Sequence, residues 1–152
     1  MSTKLTTNMT DSLTLTLYHA ARGYQDRVTR RLSEVLAEDH GIALSPAQLA
    51  FLAALICGET TTSEVARRSG VSRQAAHRQA AALAERGYLA LAPDPGRRNQ
   101  SLVTFTETGT RLMALCREIL ADWDRALGNE ADTLRRAAAI MEAALAEGGG
   151  DG

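Results

Sequence analysis

At 152 residues the chain has the length of one domain, or of a small core with helices added at its ends. Aromatic residues make up 4% and hydrophobic residues 45%, with alanine and leucine abundant, which favours a helical body over a β-sandwich or barrel. The formal charge of −1 excludes a uniformly basic or acidic protein. No apolar run approaches a membrane span and no N-terminal stretch resembles a signal peptide, so the expected location is cytoplasmic.

Residues 1–10 are polar and expected to fray. Leu13, Leu15 and Leu17 alternate as in a strand, but Leu17, Ala21, Tyr24, Val28, Leu32 and Val35 recur at three and four residues. The longer pattern predicts one helix from Asp11 to Glu38, capped by Asp11 or Ser12, and long enough to expect a partner along its stripe. His40-Gly41 closes it. Ile42-Ala43-Leu44 forms a short connection, and Ser45-Pro46 opens a second helix with a capping hydroxyl and a proline at its first position. Leu49, Leu52, Ala53 and Ile56 face inward, Phe51 and Leu55 lie on a neighbouring arc, and Gly58 ends the helix.

The stretch from Thr61 to Leu89 reads as a helix-turn-helix. Thr61 or Thr62 caps a short helix with Val65 and Ala66 on its apolar face, Gly70 supplies the turn, and Ser72 caps a second helix that ends at Gly87. On a helical wheel Ala75, Ala76, Ala80 and Leu83 share one arc, and Arg73, Gln74, His77 and Arg78 share the other. An alanine-built arc lets the helix lie close to its neighbours. The polar arc suits a DNA groove: arginine pairs with guanine edges, glutamine with adenine edges, and either can take a phosphate instead. A polar face on an alanine-rich helix is also common in any helical protein, so the residues C-terminal to this helix decide its meaning.

Tyr88–Ala92 and Leu102–Phe105 are short apolar runs around a turn-rich basic tip, Pro93–Gln100. They read as a two-stranded hairpin directly behind the second helix, which is a wing. Thr106 caps a further helix from Glu107, with Leu112, Leu115, Cys116, Ile119, Trp123 and Leu127 on its stripe. Gly128-Asn129 breaks it, and a last helix runs from Glu130 to Ala146 with Leu134, Ala138, Met141 and Leu145 facing one way.

The expected fold is therefore mainly α with a small two- or three-stranded β-wing: a winged helix-turn-helix with N- and C-terminal dimerisation helices. Its parts are residues 11–40, a winged domain over 42–109, helices over 110–147, and a disordered tail over 148–152. The first and last helices pack on each other and on a second subunit; the alternative is a monomer whose terminal helices complete its own core.

Between Thr61 and Arg111 the basic residues are Arg67, Arg68, Arg73, Arg78, Arg86, Arg97, Arg98 and Arg111, against Glu64, Glu85, Asp94 and Glu107. A polyanion is therefore accommodated at the middle of the chain. Cys57 and Cys116 each fall in an apolar helical pattern, which reads as two buried thiols rather than a redox pair. His19, His40 and His77 occupy unrelated contexts, with no metal-ligand spacing. No nucleophile–base pair, carboxylate pair or phosphate loop is visible, so neither an enzyme nor a cofactor is expected.

Across nearly its whole length the chain resembles the MarR family of bacterial transcriptional regulators. The resemblance rests on the long first helix, Leu44-Ser45-Pro46-Ala47-Gln48, the helix-turn-helix, Leu83-Ala84-Glu85-Arg86-Gly87-Tyr88-Leu89, and Phe105-Thr106-Glu107-Thr108-Gly109 closing the wing. It implies a homodimer on palindromic double-stranded DNA, often a repressor, released by a small phenolic or lipophilic ligand or, in one branch, by thiol oxidation. The wing departs from the family pattern. Where the tip usually reads Asp-Arg-Arg this chain has Arg97-Arg98-Asn99, which puts Arg98 at the minor-groove arginine and replaces the acidic residue by Arg97. Loss of that carboxylate leaves the tip looser.

The resemblance places an effector cleft between the dimer helices and the winged domain, where Tyr18, Tyr24, Phe51, Cys57, Met113 and Trp123 are the candidates, each of which is also ordinary core material. No cysteine stands near the start of the first helix, so thiol sensing is disfavoured. The expected DNA-reading set is Ser72, Arg73, Gln74, His77, Arg78, Arg97 and Arg98, with His77 equally explained as a solvent-side residue. The alternative function is a protein-interaction module that keeps the winged fold and binds DNA weakly.

Overall fold

The computed structural model describes residues 11–55, 60–96 and 100–146. Residues 1–10, expected to fray, and the glycine-rich tail from Gly148, expected to be disordered, lie outside them. In chain order the elements are α1 (Leu13–His40), α2 (Pro46–Ala54), β1 (Thr60–Thr61), α3 (Thr62–Ser69), α4 (Arg73–Glu85), β2 (Leu89–Pro93), β3 (Ser101–Phe105), α5 (Glu107–Leu127) and α6 (Glu130–Ala143). The chain divides into two compact units, residues 1–110 and 111–152, with the division inside α5.

Ser12 caps α1 by accepting from the Leu15 N–H at 3.2 Å. Gly41, at φ 65°, turns the chain out of the helix and donates back to the Leu36 carbonyl. The helix thus runs to His40, two residues past the expected end, because the turn waits for the residue that tolerates a left-handed backbone. Only Leu32 and Leu36 are buried on it. Leu36 takes the place expected for Val35, which is half-buried, while the N-terminal part of the stripe stays open, with Tyr18 59% and Tyr24 61% exposed.

A capping box opens α2: the Ser45 hydroxyl accepts from the Gln48 N–H at 3.1 Å and the Gln48 side chain accepts from the Ser45 N–H at 3.0 Å. This helix stops at Ala54, and Leu55 is already extended, with ψ 126°. The expected end at Gly58 therefore comes too late, and Gly58 itself, with Ile56, lies outside the described residues. Phe51 is core, with Leu49 and Leu52, whereas Ala53 faces solvent. A helix of nine residues whose buried positions are adjacent in sequence needs a wide apolar arc, which a strict i, i+3, i+4 reading underestimates.

The sheet has three antiparallel strands in the order β1-β3-β2. Leu89 pairs with Phe105 and Leu91 with Val103 in the hairpin, and Thr60 pairs with Val103 on its other side. The short strand β1 has a sequence signal in the β-branched run Thr60-Thr61-Thr62, but Thr61 also reads as a cap. It does both, accepting from the Glu64 N–H at 3.1 Å. Leu36 of α1, Leu52 of α2, Val65 of α3, Leu83 of α4 and Val103 of β3 are fully buried, so each of these five elements contributes to the core.

The wing is tied off at the start of α5. Thr106 donates its hydroxyl to the Gly87 carbonyl, accepts from the Gly109 N–H at 3.1 Å, and its own N–H reaches the Tyr88 carbonyl at 3.1 Å. Gly109 is required for a steric reason: a Cβ there would sit 2.0 Å from the Tyr88 oxygen.

In the second unit α5 buries Leu112, Cys116 and Ile119, and burial pushes the Cys116 thiol above its ordinary pKa. Gly128, at φ 57°, separates α5 from α6. The last helix ends at Ala143, short of the expected Ala146, because Ala144 is extended at ψ 135°. None of its residues is buried. Among the described residues no helix is long and apolar enough to cross a membrane.

Replacing Gly109 by alanine forces a methyl group into the Tyr88 carbonyl. Overpacking of this kind costs about 1–3 kcal/mol, and because the obstacle is backbone the upper part of that range is expected, read as a lowered midpoint in denaturant unfolding.

Candidate nucleic-acid interface

The helix-turn-helix is built from α3 and α4 around Gly70, at φ 69°. Ser72 caps α4 by accepting from the Ala75 N–H at 3.1 Å. Ala76, Ala80 and Leu83 are buried at 0%, 1% and 0% exposure, so the backbone of α4 lies against the core with almost no side chain between. Ala75 is half-buried at the margin of that contact.

The opposite arc carries Arg73, Gln74 and Arg78, all exposed. Among the described residues none of the three is engaged in a hydrogen bond or ion pair. The other arginines of the region are committed elsewhere. Arg67 and Arg68 both pair with Glu64, the second at 3.1 Å, and Arg86 donates to the Ala43 carbonyl while its guanidinium lies 5.3 Å from the centre of the Tyr88 ring. The basic cluster counted from the sequence therefore reduces, on α4, to Arg73 and Arg78.

His77 stands apart from them. It is half-buried, and its Nε2 lies 3.4 Å from the hydroxyl of Thr62, itself buried at 1% exposure. At that length the contact is a weak hydrogen bond. It places the imidazole in the seam between α3 and α4, so His77 is not the simple solvent-side residue that one of its two readings required. The sequence carried no sign of this, because the partner is a threonine that doubles as part of a capping run.

Arg97 and Arg98 lie outside the described residues. The turn that leads to them does not: Asp94 accepts from the Gly96 N–H at 2.9 Å through its carboxylate, and its own N–H reaches the Gln100 carbonyl at 2.9 Å. An acidic residue does brace the wing, three positions before the site where the family pattern has one. The expected loosening is thus restricted on the entry side of the tip.

The residues expected to line an effector cleft fall in both units. Phe51 belongs to the core, Tyr18 and Tyr24 are exposed on α1, Met113 and Trp123 are half-buried in the second unit, and Cys57 lies outside the described residues. A cleft of about 420 Å³ occurs elsewhere in the first unit, lined by Arg22, Gln25, Asp26 and Thr29 of α1, Pro46, Ala47 and Ala50 of α2, and Ser69 and Gly70 at the helix-turn-helix turn. Sequence reading missed it because polar residues on a long helix look like a solvated face. Among the described residues no group of three or more His, Cys, Asp or Glu side chains could hold a metal ion.

Residues 44–98 match the family model described as MarR family, which bears out the resemblance read from the sequence over the winged segment. No curated protein sequence matches the chain. Among solved structures it is similar to wild-type MarR of Escherichia coli in the apo form, at 22% identity and a TM-score of 0.63, over 85% of this chain and 93% of that one. It is also similar to the transcriptional regulator BldR of Sulfolobus solfataricus, at 18% identity, a TM-score of 0.65, and 85% and 94% coverage. A MarR transcriptional regulator of Methanosarcina mazei gives 20% identity, a TM-score of 0.66, and 82% and 93% coverage. These likenesses establish the winged-helix fold.

The alanine contact under α4 gives a direct expectation. Ala80→Leu inserts branched carbon where 1% of the residue is exposed and should cost about 1–3 kcal/mol of stability, measured by denaturant unfolding. The same change at Ala81, which is exposed, should stay within about 0.5 kcal/mol.

Proposed function

With residues 44–98 as a MarR-family winged segment, we propose that the chain is a sequence-specific DNA-binding transcriptional regulator acting as a homodimer. The observation that carries this is the unpaired, exposed set Arg73, Gln74 and Arg78 on a helix whose other face is buried through Ala76, Ala80 and Leu83. Such a helix projects its donors beyond the body of the winged domain, at the width of a major groove. Ser72 and the N-terminus of α4 suit a backbone phosphate, and Arg98 suits the adjacent minor groove. A structure similar to this chain, at 22% identity, is of an E. coli MarR mutant in complex with operator DNA, which supports the reading by analogy of fold.

Homodimer formation is supported by apolar surface that each unit leaves open. On α1, Leu13 is 71% and Tyr24 61% exposed; on α6, Leu134 is 49% and Ile140 69% exposed. A symmetric pair sets two α4 helices against one palindromic site. Occupying promoter DNA in the cytoplasm then represses transcription.

Release by a small ligand is the remaining part of the proposal, and the cleft beside Gly70 is the place it assigns. Its volume suits a small molecule, and its lining is mostly polar, with Arg22 and Asp26 both present beside Pro46, Ala47 and Ala50. That combination fits a small polar acid better than a lipophilic one.

Two measurements test these parts. In gel shifts on the promoter of its own gene the wild-type chain should retard a discrete site, and Arg78→Ala should cost about 1–3 kcal/mol of binding if it reads a base, or lower the salt dependence by about one ion if it holds a phosphate. Weak binding without sequence preference in the wild type would instead support the interaction-module reading. For the cleft, small polar carboxylates should raise the melting temperature of the wild type, and Arg22→Ala should abolish that rise while leaving DNA binding intact. An equal rise in the variant removes the cleft from the proposal.

A further inference from the structure

The connection between α1 and α2 is held by side chains from two directions. Ser33, on α1, donates its hydroxyl to the Leu44 carbonyl. Arg86, the residue that closes α4, donates its guanidinium to the Ala43 carbonyl, 43 positions away in sequence. The connection itself is stiff. The Ile42 N–H returns to the Leu36 carbonyl at 2.9 Å, and Ser45 is locked in the capping box of α2.

Arg86 is fixed in turn. Its guanidinium packs 5.3 Å from the centre of the Tyr88 ring, and the Gly87 and Tyr88 carbonyls are both taken by Thr106. The end of the DNA-facing helix is therefore gripped on one side by the start of α5 and on the other by the α1–α2 connection. A planar, stacked guanidinium suits this role better than a flexible ammonium would.

We propose that Arg86 is a positioning residue that latches the end of α4 to the α1–α2 connection, so that the angle of α4 follows that of α1 and the spacing between two DNA-reading heads is set without Arg86 touching DNA. This rests on the reading of α4 as a DNA-reading helix in a homodimer. Ser33 completes the latch from the α1 side. The unit it defines is Ser33, the Ala43 and Leu44 carbonyls, and Arg86, which links the two helices through backbone that neither of them contains. Arg86 faces the connection and not the exposed arc of Arg73, Gln74 and Arg78, so base preference and head spacing are governed by different residues.

The experiment uses the full chain and a randomised duplex library to select a half-site, then duplexes carrying two copies of that half-site at a series of spacer lengths. The wild type should prefer one spacer. Arg86→Ala and Ser33→Ala should each flatten that preference by roughly twofold to thirtyfold, the range expected when an element that couples two parts is cut, with the selected half-site unchanged. Arg86→Lys, which keeps the charge but loses the stacked fork, should fall between. Arg31→Ala, on α1 but paired only with Glu34, should keep the wild-type preference.

In the same variants, hydrogen exchange at the Ile42 and Ser45 amides should accelerate for Arg86→Ala. If that variant does not fold, Ser33→Ala carries the test alone. Wild-type spacer preference in both alanine variants overturns the latch while leaving DNA reading in place. Equal loss at every spacer and at a single half-site also overturns it, because that is the signature of a merely destabilised winged domain. A wild-type chain that selects no duplex at all overturns the DNA reading itself, and this inference with it.

Discussion

Ala76 and Ala80 let α4 approach the core more closely than any larger pair would, and the geometry of the candidate interface depends on that approach. A helix held by leucines stands off its neighbours by the thickness of those side chains, and its axis shifts with every change of rotamer. Alanine has no rotamers, so along Ala76 and Ala80 the axis of α4 is set by backbone, and Leu83 on the same face is fully buried, as is Val65 of α3. What the close face gives up in buried area the opposite face gains in definition. Arg73, Gln74 and Arg78 project from a helix that cannot rotate to hide them.

The same economy governs the turn after α4. Gly87, at φ 83°, lets the chain reverse into β2, and Thr106 satisfies the Gly87 and Tyr88 carbonyls that the reversal exposes. Thr106 can reach them only because Gly109 has no side chain to hold α5 away from the Tyr88 oxygen. The end of α4 is exposed, so each of these hydrogen bonds contributes about 0.5–1.5 kcal/mol, and one threonine and one glycine fix where the wing begins.

Much of this was legible in the sequence because it is written in residues with narrow roles. Ser12, Ser45, Thr61, Ser72 and Thr106 each read as caps and each accepts the expected backbone N–H. Gly41, Gly70 and Gly128 each read as breaks and each has positive φ. The illegible parts involve residues whose meaning comes from a distant partner. Arg86 looked like one more positive charge until the Ala43 carbonyl appeared beside it. His77 read equally as a groove contact and as a solvent-side residue, and nothing in the sequence pointed to Thr62 across the helix pair. The cleft beside Gly70 escaped notice because Arg22, Gln25 and Asp26 have no pattern that separates a wall from a wet surface. Phe51 is the converse case: an aromatic residue signals burial, and it is buried in the first unit.

The state of α6 bears on how the whole chain folds. It has 14 residues and none is buried, yet helices of about 12–15 residues are marginal in water on propensity alone. Its ion pair, Arg135 with Asp132, is fully at the surface, and exposed pairs of that kind contribute about 0.3–0.5 kcal/mol. Leu134, Ile140 and Met141 carry the apolar surface that packing would have to cover. In the proposed homodimer such a helix would gain its stability from association, and its order would then depend on protein concentration. The surface that ordered α6 would also be the surface that paired the reading heads, so a chain without its partner would lack both the ordered end and the second set of contacts on which tight operator binding rests.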